Sequence, residues 1–218
     1  MVETTIEPLD KKISALRVSP AQHLHGAFVD AGVTGALGVR VREEQFLTMV
    51  GLRVPVGSPD RERLAKILGA ELPAWCGEVA TGHDVVVLWL SPDEFLVISQ
   101  SVAGSTLVSY LRAGVTGGGA AVVDLSANRT TFRLEGPSAQ AVLEKGCPLD
   151  LHPRAFTPGK AVASTIGRVP VILWKVDTDS YRILPRASYA DYLGRWLIDA
   201  MAEFKLISTS STQRLGSG

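Results

Sequence analysis

A cysteine, an aspartate and a histidine stand close together in the segment LEKGCPLDLHPRAF, residues 143–156. Cys147, Asp150 and His152 are residue types that serve as nucleophiles, general acids or bases, and metal ligands. Cys147, however, follows a predicted helix and so lies at the negative end of the helix dipole, which disfavours a thiolate. Gly146 and the proline after Cys147 are typical of a helix end, so we interpret the segment as a turn.

Two histidines in the sequence QHLHG are a second candidate for a metal site. His23 and His25 would lie on opposite sides of a strand, or about 200° apart on a helix, so they do not converge as histidines spaced i, i+4 would. The other cysteine, Cys76, has neither a second cysteine nor a pair of histidines close to it in the sequence. These residues predict neither a metal centre nor a disulfide.

Motifs for phosphate binding and hydrolysis are weak. The glycine-rich sequence GVTGGGAAV, residues 114–122, lacks the lysine and hydroxyl residue of a phosphate loop and leads into a strand. Ser91, Ser99 and Ser126 lack the G-x-S-x-G context of a hydrolase nucleophile, although a triad needs no fixed spacing and stays an alternative. We assign no catalytic, cofactor-binding or metal-binding residue to this chain.

The composition is that of a globular chain without a strong net charge. Of the 218 residues, 46% are hydrophobic and 20% are charged, which suits one large or two small soluble domains. Twenty-two basic residues balance twenty-two acidic ones, so neither nucleic acid nor an anionic membrane is favoured as a partner. No signal-like stretch opens the sequence, and no apolar run reaches the roughly 18 residues that cross a bilayer. We expect a cytoplasmic protein.

The elements that would position these residues alternate along the first half of the chain. A strand over residues 46–56 is followed by a helix that Pro59 opens and Gly69 ends, with Leu64, Ile67 and Leu68 on its buried side. DVVVLWL and EFLVIS then form a hairpin around SPDE. A second helix over 105–112 and the strand AAVVDLS complete this half.

The second half repeats the order. A strand over 130–135 precedes a helix that Pro137 opens and Gly146 ends, with Ala141, Val142 and Leu143 on it. GRVPVILWKV and SYRILPR are predicted to pair around the turn DTD. The final helix has a clear apolar stripe at helical spacing. Its members are Tyr189, Tyr192, Leu193, Trp196, Leu197, Ala200, Met201 and Phe204.

This order predicts an internal duplication and an α+β fold. Pseudo-repeats of about 46–125 and 126–206 would lie in one domain over 21–206, with mostly antiparallel sheets carrying helices on one face. A flexible N-terminal arm is expected over 1–20 and a flexible tail over 207–218.

Several separated motifs together resemble one known family. They are DLSANR at 124–129, FRLEGPSAQAVLEKGCPLDLHPRAF, SYRILPRASYADYLGRWLIDAMAEF and the hairpin LWLSPDEFLVIS. From about Ser19 to Phe204 the chain is similar to the gamma subunit of heterotetrameric sarcosine oxidase. The resemblance implies a fold like the folate-binding domain of glycine-cleavage aminomethyltransferases.

The departures from the aminomethyltransferases carry information about chemistry. Residues 124–127 resemble their Asp-Val-Ser-His segment, and Gly136 falls where their glycine does, but their histidine is Ala127 here. Their later acidic pair would fall near Val171 and Ile172, which can neither exchange protons nor order a folate amine. The resemblance thus implies that the scaffold is kept and the one-carbon chemistry is lost.

The resemblance implies a non-catalytic, structural gamma subunit of a sarcosine oxidase complex. Such a complex oxidatively demethylates sarcosine to glycine, with formaldehyde or methylenetetrahydrofolate and hydrogen peroxide. This chain would hold no cofactor. FAD, FMN, NAD and tetrahydrofolate would lie on the alpha and beta subunits and zinc on the delta subunit, and the chain would pack mainly against alpha. Two alternatives stay open: an equivalent subunit of a complex that oxidises another N-methyl or cyclic amine, and a stand-alone folate-binding module.

Overall fold

The computed structural model describes the backbone of residues 16–215 and the side chains of residues 16–205. The strands are β1 (Arg40–Glu43), β2 (Thr48–Arg53), β3 (Val79–Thr81), β4 (Val86–Ser91), β5 (Glu94–Ser99), β6 (Ala121–Asp124), β7 (Phe132–Glu135), β8 (Ala161–Ile166), β9 (Val169–Asp177) and β10 (Ser180–Pro185). The α-helices are α1 (His25–Ala31), α2 (Asp60–Leu68), α3 (Gly104–Ala113), α4 (Ala139–Glu144) and α5 (Ala190–Leu215).

The strands form two five-stranded sheets in which neighbouring strands run antiparallel. The first sheet has the order β3-β4-β5-β2-β6 and the second has the order β1-β7-β10-β9-β8. Both predicted hairpins are present, since β4 pairs with β5 and β9 pairs with β10. The predicted α+β fold with mostly antiparallel sheets is therefore confirmed.

The two sheets exchange one strand each. β1 directly precedes β2 in the chain, but it pairs with β7 in the second sheet. β6 directly precedes β7, but it pairs with β2 in the first sheet. With this exchange the strands of the two sheets correspond one to one, which supports the proposed duplication. Each unit then begins with its exchanged strand, at residues 40 and 121, earlier than the proposed 46 and 126.

The molecule has four layers in the order helix, sheet, sheet, helix. α2 and α3 pack on the outer face of the first sheet, with Leu64 and Leu111 beside Val97 in one apolar cluster. α1, α4 and α5 cover the outer face of the second sheet, where Leu193 packs near Phe132. The apolar residues between the sheets are Leu47, Met49, Leu88, Leu96, Ile98, Ala161, Ile172, Trp174 and Leu184.

The predicted helix faces are largely buried, with corrections at their margins. The buried members are Leu64, Leu68, Val142, Leu143, Leu193, Leu197, Ala200, Met201 and Phe204. Ile67 and Ala141 are exposed instead. Tyr189, just before the last helix, and Tyr192, in its first turn, are 41% and 53% exposed. The Tyr192 hydroxyl donates a hydrogen bond to the Gly167 carbonyl at 3.0 Å, so its polar end has a partner there.

The ends of the chain also differ from the sequence-based expectation. Ser19, inside the predicted arm, is buried, and its hydroxyl donates to Glu43 Oε2 at 2.5 Å. The last helix continues to Leu215, past the predicted boundary at 206, because neither glycine nor proline interrupts it before Gly216. The parts of the predicted arm and tail in 1–15 and 216–218 lie outside the described residues. Within the described part, no helix is long and apolar enough to span a membrane.

The two thiols lie in contrasting environments, which gives a simple test of the fold. Cys76 is exposed and Cys147 is buried. We expect one thiol per native chain to react rapidly with Ellman's reagent, and the second to react only after unfolding, since access limits thiol chemistry. Replacing Cys76 with serine should remove the fast phase and leave the slow one. Two equally fast thiols in the native chain would contradict this arrangement.

Candidate functional site

Six arginines project from one face of the second sheet toward the first sheet. Side chains alternate along a strand, so residues two apart point to the same side, and residues paired across strands do likewise. Arg133 is paired with Arg42 on one neighbour and with Arg182 on the other. An isolated bridge pairs Arg129 with Arg186. We call the following set the arginine face: Arg40, Arg42, Arg129, Arg133, Arg182 and Arg186.

The strand sequences explain why arginines occupy this face. In β7, Phe132 and Leu134 are fully buried under the helices, and in β10 Tyr181 and Ile183 are as well. The residues between them must therefore point the other way. The apolar packing between the sheets does not extend across the whole interface. On the side where the arginines lie, polar side chains line a groove.

Glu44 neutralises the centre of the arginine face. Its carboxylate accepts hydrogen bonds from Arg182 Nε at 2.5 Å and Arg182 Nη2 at 3.3 Å. Arg42 Nη2 and Arg133 Nη1 approach the same carboxylate at 3.4 and 3.5 Å. The side chains of Glu44 and Arg182 are each only 8% exposed. The guanidinium of Arg182 also lies 4.9 Å from the centre of the Trp174 ring. Glu44 and Arg182 thus form a buried ion pair.

Glu135 neutralises the β1 end of the face. It accepts a hydrogen bond from Arg133 Nε at 2.6 Å and another from Arg40 Nε at 3.2 Å. Burial works in the opposite direction, but the hydrogen bonds and charges of Arg133 and Arg40 together lower the pKa of Glu135 below its ordinary value. The lowered pKa means that the Glu135 carboxylate keeps its charge to a lower pH than an ordinary glutamate does.

Positive charge remains in excess at the other end. The face has six arginines, and among the described side chains two glutamates pair with them. Arg129 donates to the Leu184 carbonyl at 2.9 Å. Burial, followed by the neighbouring charge of Arg186, lowers the pKa of Arg129 from its ordinary value. This end of the groove has the electrostatics of a site for an anion.

A cavity of about 210 Å³ lies beside this positive end. Glu44, Met49, Ser126, Ala127, Arg129 and Thr131 are among the residues that line it. Thr131 is fully buried, and its hydroxyl has no hydrogen-bond partner within the described part of the chain. The segment singled out in the sequence, residues 124–127, thus borders the arginine face.

Asp124 itself serves the backbone of this segment. Its Oδ1 accepts hydrogen bonds from the backbone N–H of Ser126 at 2.9 Å and from the Ser126 hydroxyl at 2.6 Å. The Ser126 hydroxyl in turn accepts from the N–H of Met49 at 3.1 Å. A side chain at Gly104 would lie only 2.8 Å from Asp124 Oδ2, which places the carboxylate against the N-terminus of α3. These contacts fix β6 against β2 and α3.

The positions compared with the acidic pair of the aminomethyltransferases lie inside the fold. Val171 and Ile172 are each only 3% exposed and point to opposite faces of β9. Val171 belongs to the cluster under the helices, and Ile172 belongs to the cluster between the sheets. Gly136 has a φ of +119° and packs against the Gly38 carbonyl. Its role is to let the backbone turn where another chain segment passes.

The structure does not bring the two histidines together. His23 Nε2 lies 2.7 Å from Asp191 Oδ1, and His25 Nε2 lies 3.5 Å from Glu43 Oε2. Over the described residues, no group of three or more His, Cys, Asp or Glu side chains is placed to hold a metal ion.

The Cys147 segment and the other serines have local partners. Cys147 Sγ lies 3.8 Å from Ser164 Oγ. The Asp150 carboxylate accepts from the N–H of His152 at 3.0 Å, within the same turn. Ser91 donates to Asp93 at 2.9 Å, and Ser99 donates to the Asp84 carbonyl at 2.7 Å. In the glycine-rich loop, Gly117, Gly118 and Gly119 all have positive φ.

The arginine face was not predicted from the sequence. A local signal was present, because RTTFR and RILPR each place two arginines four residues apart, on one side of a strand. Because the overall charge is balanced, the composition did not indicate a basic cluster. Neither segment indicates by itself that the two lie side by side. Only the pairing of β7 with β10 brings them together.

The family model and the curated relatives agree on one family. The sarcosine oxidase, gamma subunit family model matches residues 61–203. A sarcosine oxidase subunit gamma from Arthrobacter sp. is 46% identical over 192 residues, covering 88% of this chain and 93% of the relative. Another from Corynebacterium sp. strain U-96 is 45% identical over 190 residues, covering 87% and 92%.

Solved structures give the same result for the fold. A chain of the heterotetrameric sarcosine oxidase from Corynebacterium sp. U-96, in complex with pyrrole 2-carboxylate, matches with a TM-score of 0.83 and 45% identity. That match covers 87% of this chain and 96% of the other. Glycine cleavage system aminomethyltransferase T from Bartonella henselae matches with a TM-score of 0.62 at 15% identity, over 84% of this chain and 57% of that protein. The expected likeness to the aminomethyltransferase fold is confirmed.

Proposed function

The chain belongs to the sarcosine oxidase gamma subunit family, and we propose that it is the non-catalytic, structural gamma subunit of a heterotetrameric sarcosine oxidase. One observation carries the proposal: 46% identity that runs through 88% of this chain and 93% of a gamma subunit. A likeness of that extent covers both sheets and their helices. The chain therefore matches that relative over most of its length.

The positions that would carry folate chemistry support a structural role. Ala127 stands where the aminomethyltransferases have a histidine. Val171 and Ile172, where their acidic pair would fall, are buried in apolar clusters. Asp124 accepts hydrogen bonds from Ser126 and holds the backbone of its own segment. These residues build the fold, and they leave proton transfer to other chains of the complex.

In this proposal the assembled complex carries the catalysis. It oxidatively demethylates sarcosine to glycine and hydrogen peroxide, with formaldehyde or methylenetetrahydrofolate as the one-carbon product. The partners are alpha, beta and delta subunits, of which alpha makes the main contact. FAD, FMN, NAD, tetrahydrofolate and zinc are held by those partners, and the complex works in the cytoplasm.

Purifying the chain alone and together with its partner subunits tests the proposal. The isolated chain should be colourless, should form no hydrogen peroxide with sarcosine, and should release no heat when titrated with tetrahydrofolate. Co-purified with its partners from the native host, it should be recovered in a complex with two larger flavin-containing chains. Parallel assays with sarcosine, dimethylglycine and hydroxyproline would identify the amine. A stoichiometric flavin on the isolated chain, or no flavin-containing partner, would overturn the proposal.

A further inference from the structure

Strand β8 ends the second sheet without the protection that edge strands of soluble proteins usually have. Such edges are kept short, charged, interrupted by proline or a bulge, or covered, because their free N–H and C=O groups can pair with another chain. β8 is six residues long and its sequence, AVASTI, has neither a charged residue nor a proline. Its register with β9 is unbroken from Ala161 to Ile166. β8 therefore has the features of a strand that accepts a neighbour.

The other three strands that end the two sheets are protected. β1 has three charged residues among its four, and β3 is only three residues long. β6 lies beside α3, whose Arg112 donates from Nη2 to the Val122 carbonyl at 3.3 Å. β8 is thus the exception among the four.

The backbone of β8 directs unused hydrogen-bonding groups outward. Alternate residues of an antiparallel strand point their N–H and C=O groups to the same side. The Ala161 N–H points away from β9 and donates to the Gly77 carbonyl at 3.0 Å. The backbone groups of Ala163 and Thr165 must point the same way, and both residues are exposed. Over the described part of the chain, no segment pairs with this side of them.

Exposed aromatic side chains lie at both ends of this edge. Trp75, which is 72% exposed, is held in a turn by Glu78, whose Oε2 accepts the Trp75 N–H at 3.1 Å and the preceding N–H at 2.7 Å. Two residues later, Gly77 bonds to the start of β8. At the other end, the exposed Tyr192 bonds to Gly167, which directly follows β8. Tryptophan and tyrosine are frequent anchors of protein interfaces, and here about 20 Å of open edge lies between them.

The spacing of the open groups indicates what the edge recognises. Ala163 and Thr165 repeat a donor and an acceptor at the two-residue spacing of a strand, about 6.8 Å, which an extended polypeptide matches and a helix does not. The side chains between and around them are small and uncharged. A charged residue docked against them would find no counter-charge on β8, so the fitting segment is an uncharged one of about four to six residues.

We propose that the open edge of β8 is extended by an uncharged strand of a partner subunit, with Trp75 and Tyr192 packing at its two ends. The inference rests on the proposed function, because it requires assembly with other subunits. The heterotetramer proposed above has one copy of this chain, so the added strand comes from a different subunit. The inference adds the surface that makes a contact and the main-chain chemistry that forms it.

Proline at the outward N–H tests this docking. Full-length Ala163→Pro would be compared with wild type for binding to the purified complex of the remaining subunits by interferometry. The substitution removes a donor that β9 does not use, so the fold should survive, and the melting temperature of the isolated chain checks this. Ala163→Ser keeps the N–H and is the matched control. Thr165→Lys keeps the whole backbone and adds a charge to the edge, so it decides the question if the proline variant fails to fold.

We expect Ala163→Pro and Thr165→Lys to bind about tenfold or more weakly and Ala163→Ser to bind as wild type. Folded variants that bind like wild type would overturn the docking and leave the proposed function standing. Failure of wild type to bind the other subunits would overturn both. Self-association of the isolated wild-type chain that Ala163→Pro abolishes, with assembly unchanged, would overturn the docking in favour of a second copy.

Hydrogen exchange gives a direct readout of the main-chain bonds. The amides of Ala163 and Thr165 should exchange rapidly in the isolated chain and at least tenfold more slowly in the assembled complex, because a bonded N–H is protected. The Ala161 amide, which already has a partner in Gly77, should be protected in both states. Protection of Ala163 and Thr165 in the isolated monomer would show that a segment of this chain covers the edge, and unchanged rapid exchange after assembly would show that nothing pairs with it. Either result would overturn the proposal.

Discussion

Replacing Glu44 with alanine is expected to lower the free energy of unfolding by about 3–5 kcal/mol. Arg182, whose side chain is 8% exposed, has its closest ion pair with this carboxylate, at 2.5 Å. Removing one partner of a buried pair leaves the other charge without compensation, and this cost exceeds the net strength of the pair itself. Arg42 and Arg133 would lose a shared counter-ion as well.

Urea unfolding followed by circular dichroism measures this loss, and a double-mutant cycle assigns it. Arg182→Met alone should also destabilise the chain, because it removes the closest partner of the buried Glu44 carboxylate. The double variant Glu44→Ala with Arg182→Met should be more stable than the sum of the two single effects predicts, since neither partner of the buried pair then remains without the other. If the two losses in unfolding free energy are additive, the Glu44–Arg182 ion pair does not stabilise the fold.

Gly136→Ala is expected to destabilise the chain by about 3 kcal/mol or more. Gly136 has a φ of +119°, a conformation that costs other residues strain energy, and a Cβ there would lie 2.5 Å from the Gly38 carbonyl oxygen. The obstruction is backbone, and Ser138 donates a hydrogen bond to that same carbonyl at 3.1 Å. The clash therefore cannot be relieved by moving a side chain.

A second glycine separates the two causes of this loss. Gly57 has a φ of +78°, but a Cβ there would meet no atom within 4 Å. Gly57→Ala should therefore cost only the conformational strain, about 1 kcal/mol. Chemical unfolding of the two variants beside wild type gives the comparison. Equal losses at both positions would show that the contact with Gly38 adds nothing.

The interlocked sheets give these positions their importance. The Gly38–Gly136 contact lies where the segment before β1 meets the turn after β7, that is, where the first half of the chain enters the second sheet. Glu44 lies directly after β1 and pairs with an arginine on β10. Both predictions thus concern the exchanged strand, and they measure how firmly it joins the two halves of the molecule.

The local elements and the family could be predicted from the order of the residues alone. Proline and glycine predicted the bounds of α2 to within a residue, because proline fixes φ near the helical value and glycine readily adopts the positive φ that ends the helix. Apolar runs joined by the turn sequences SPDE and DTD predicted both hairpins, since the pairing strands are adjacent in the chain and need only a short turn. The motifs from DLSANR to the last helix identified the family, because they combine residues, spacing and order.

Which strands pair when they are distant in the chain depends on the tertiary structure. β1 is a four-residue strand, and β2 follows it directly in the chain. Its pairing with β7 depends on how the whole sheet buries its apolar face, and no local pattern encodes that choice. The arginine face follows from the same choice, because strands from both halves must come together before their separate arginines form one positive groove.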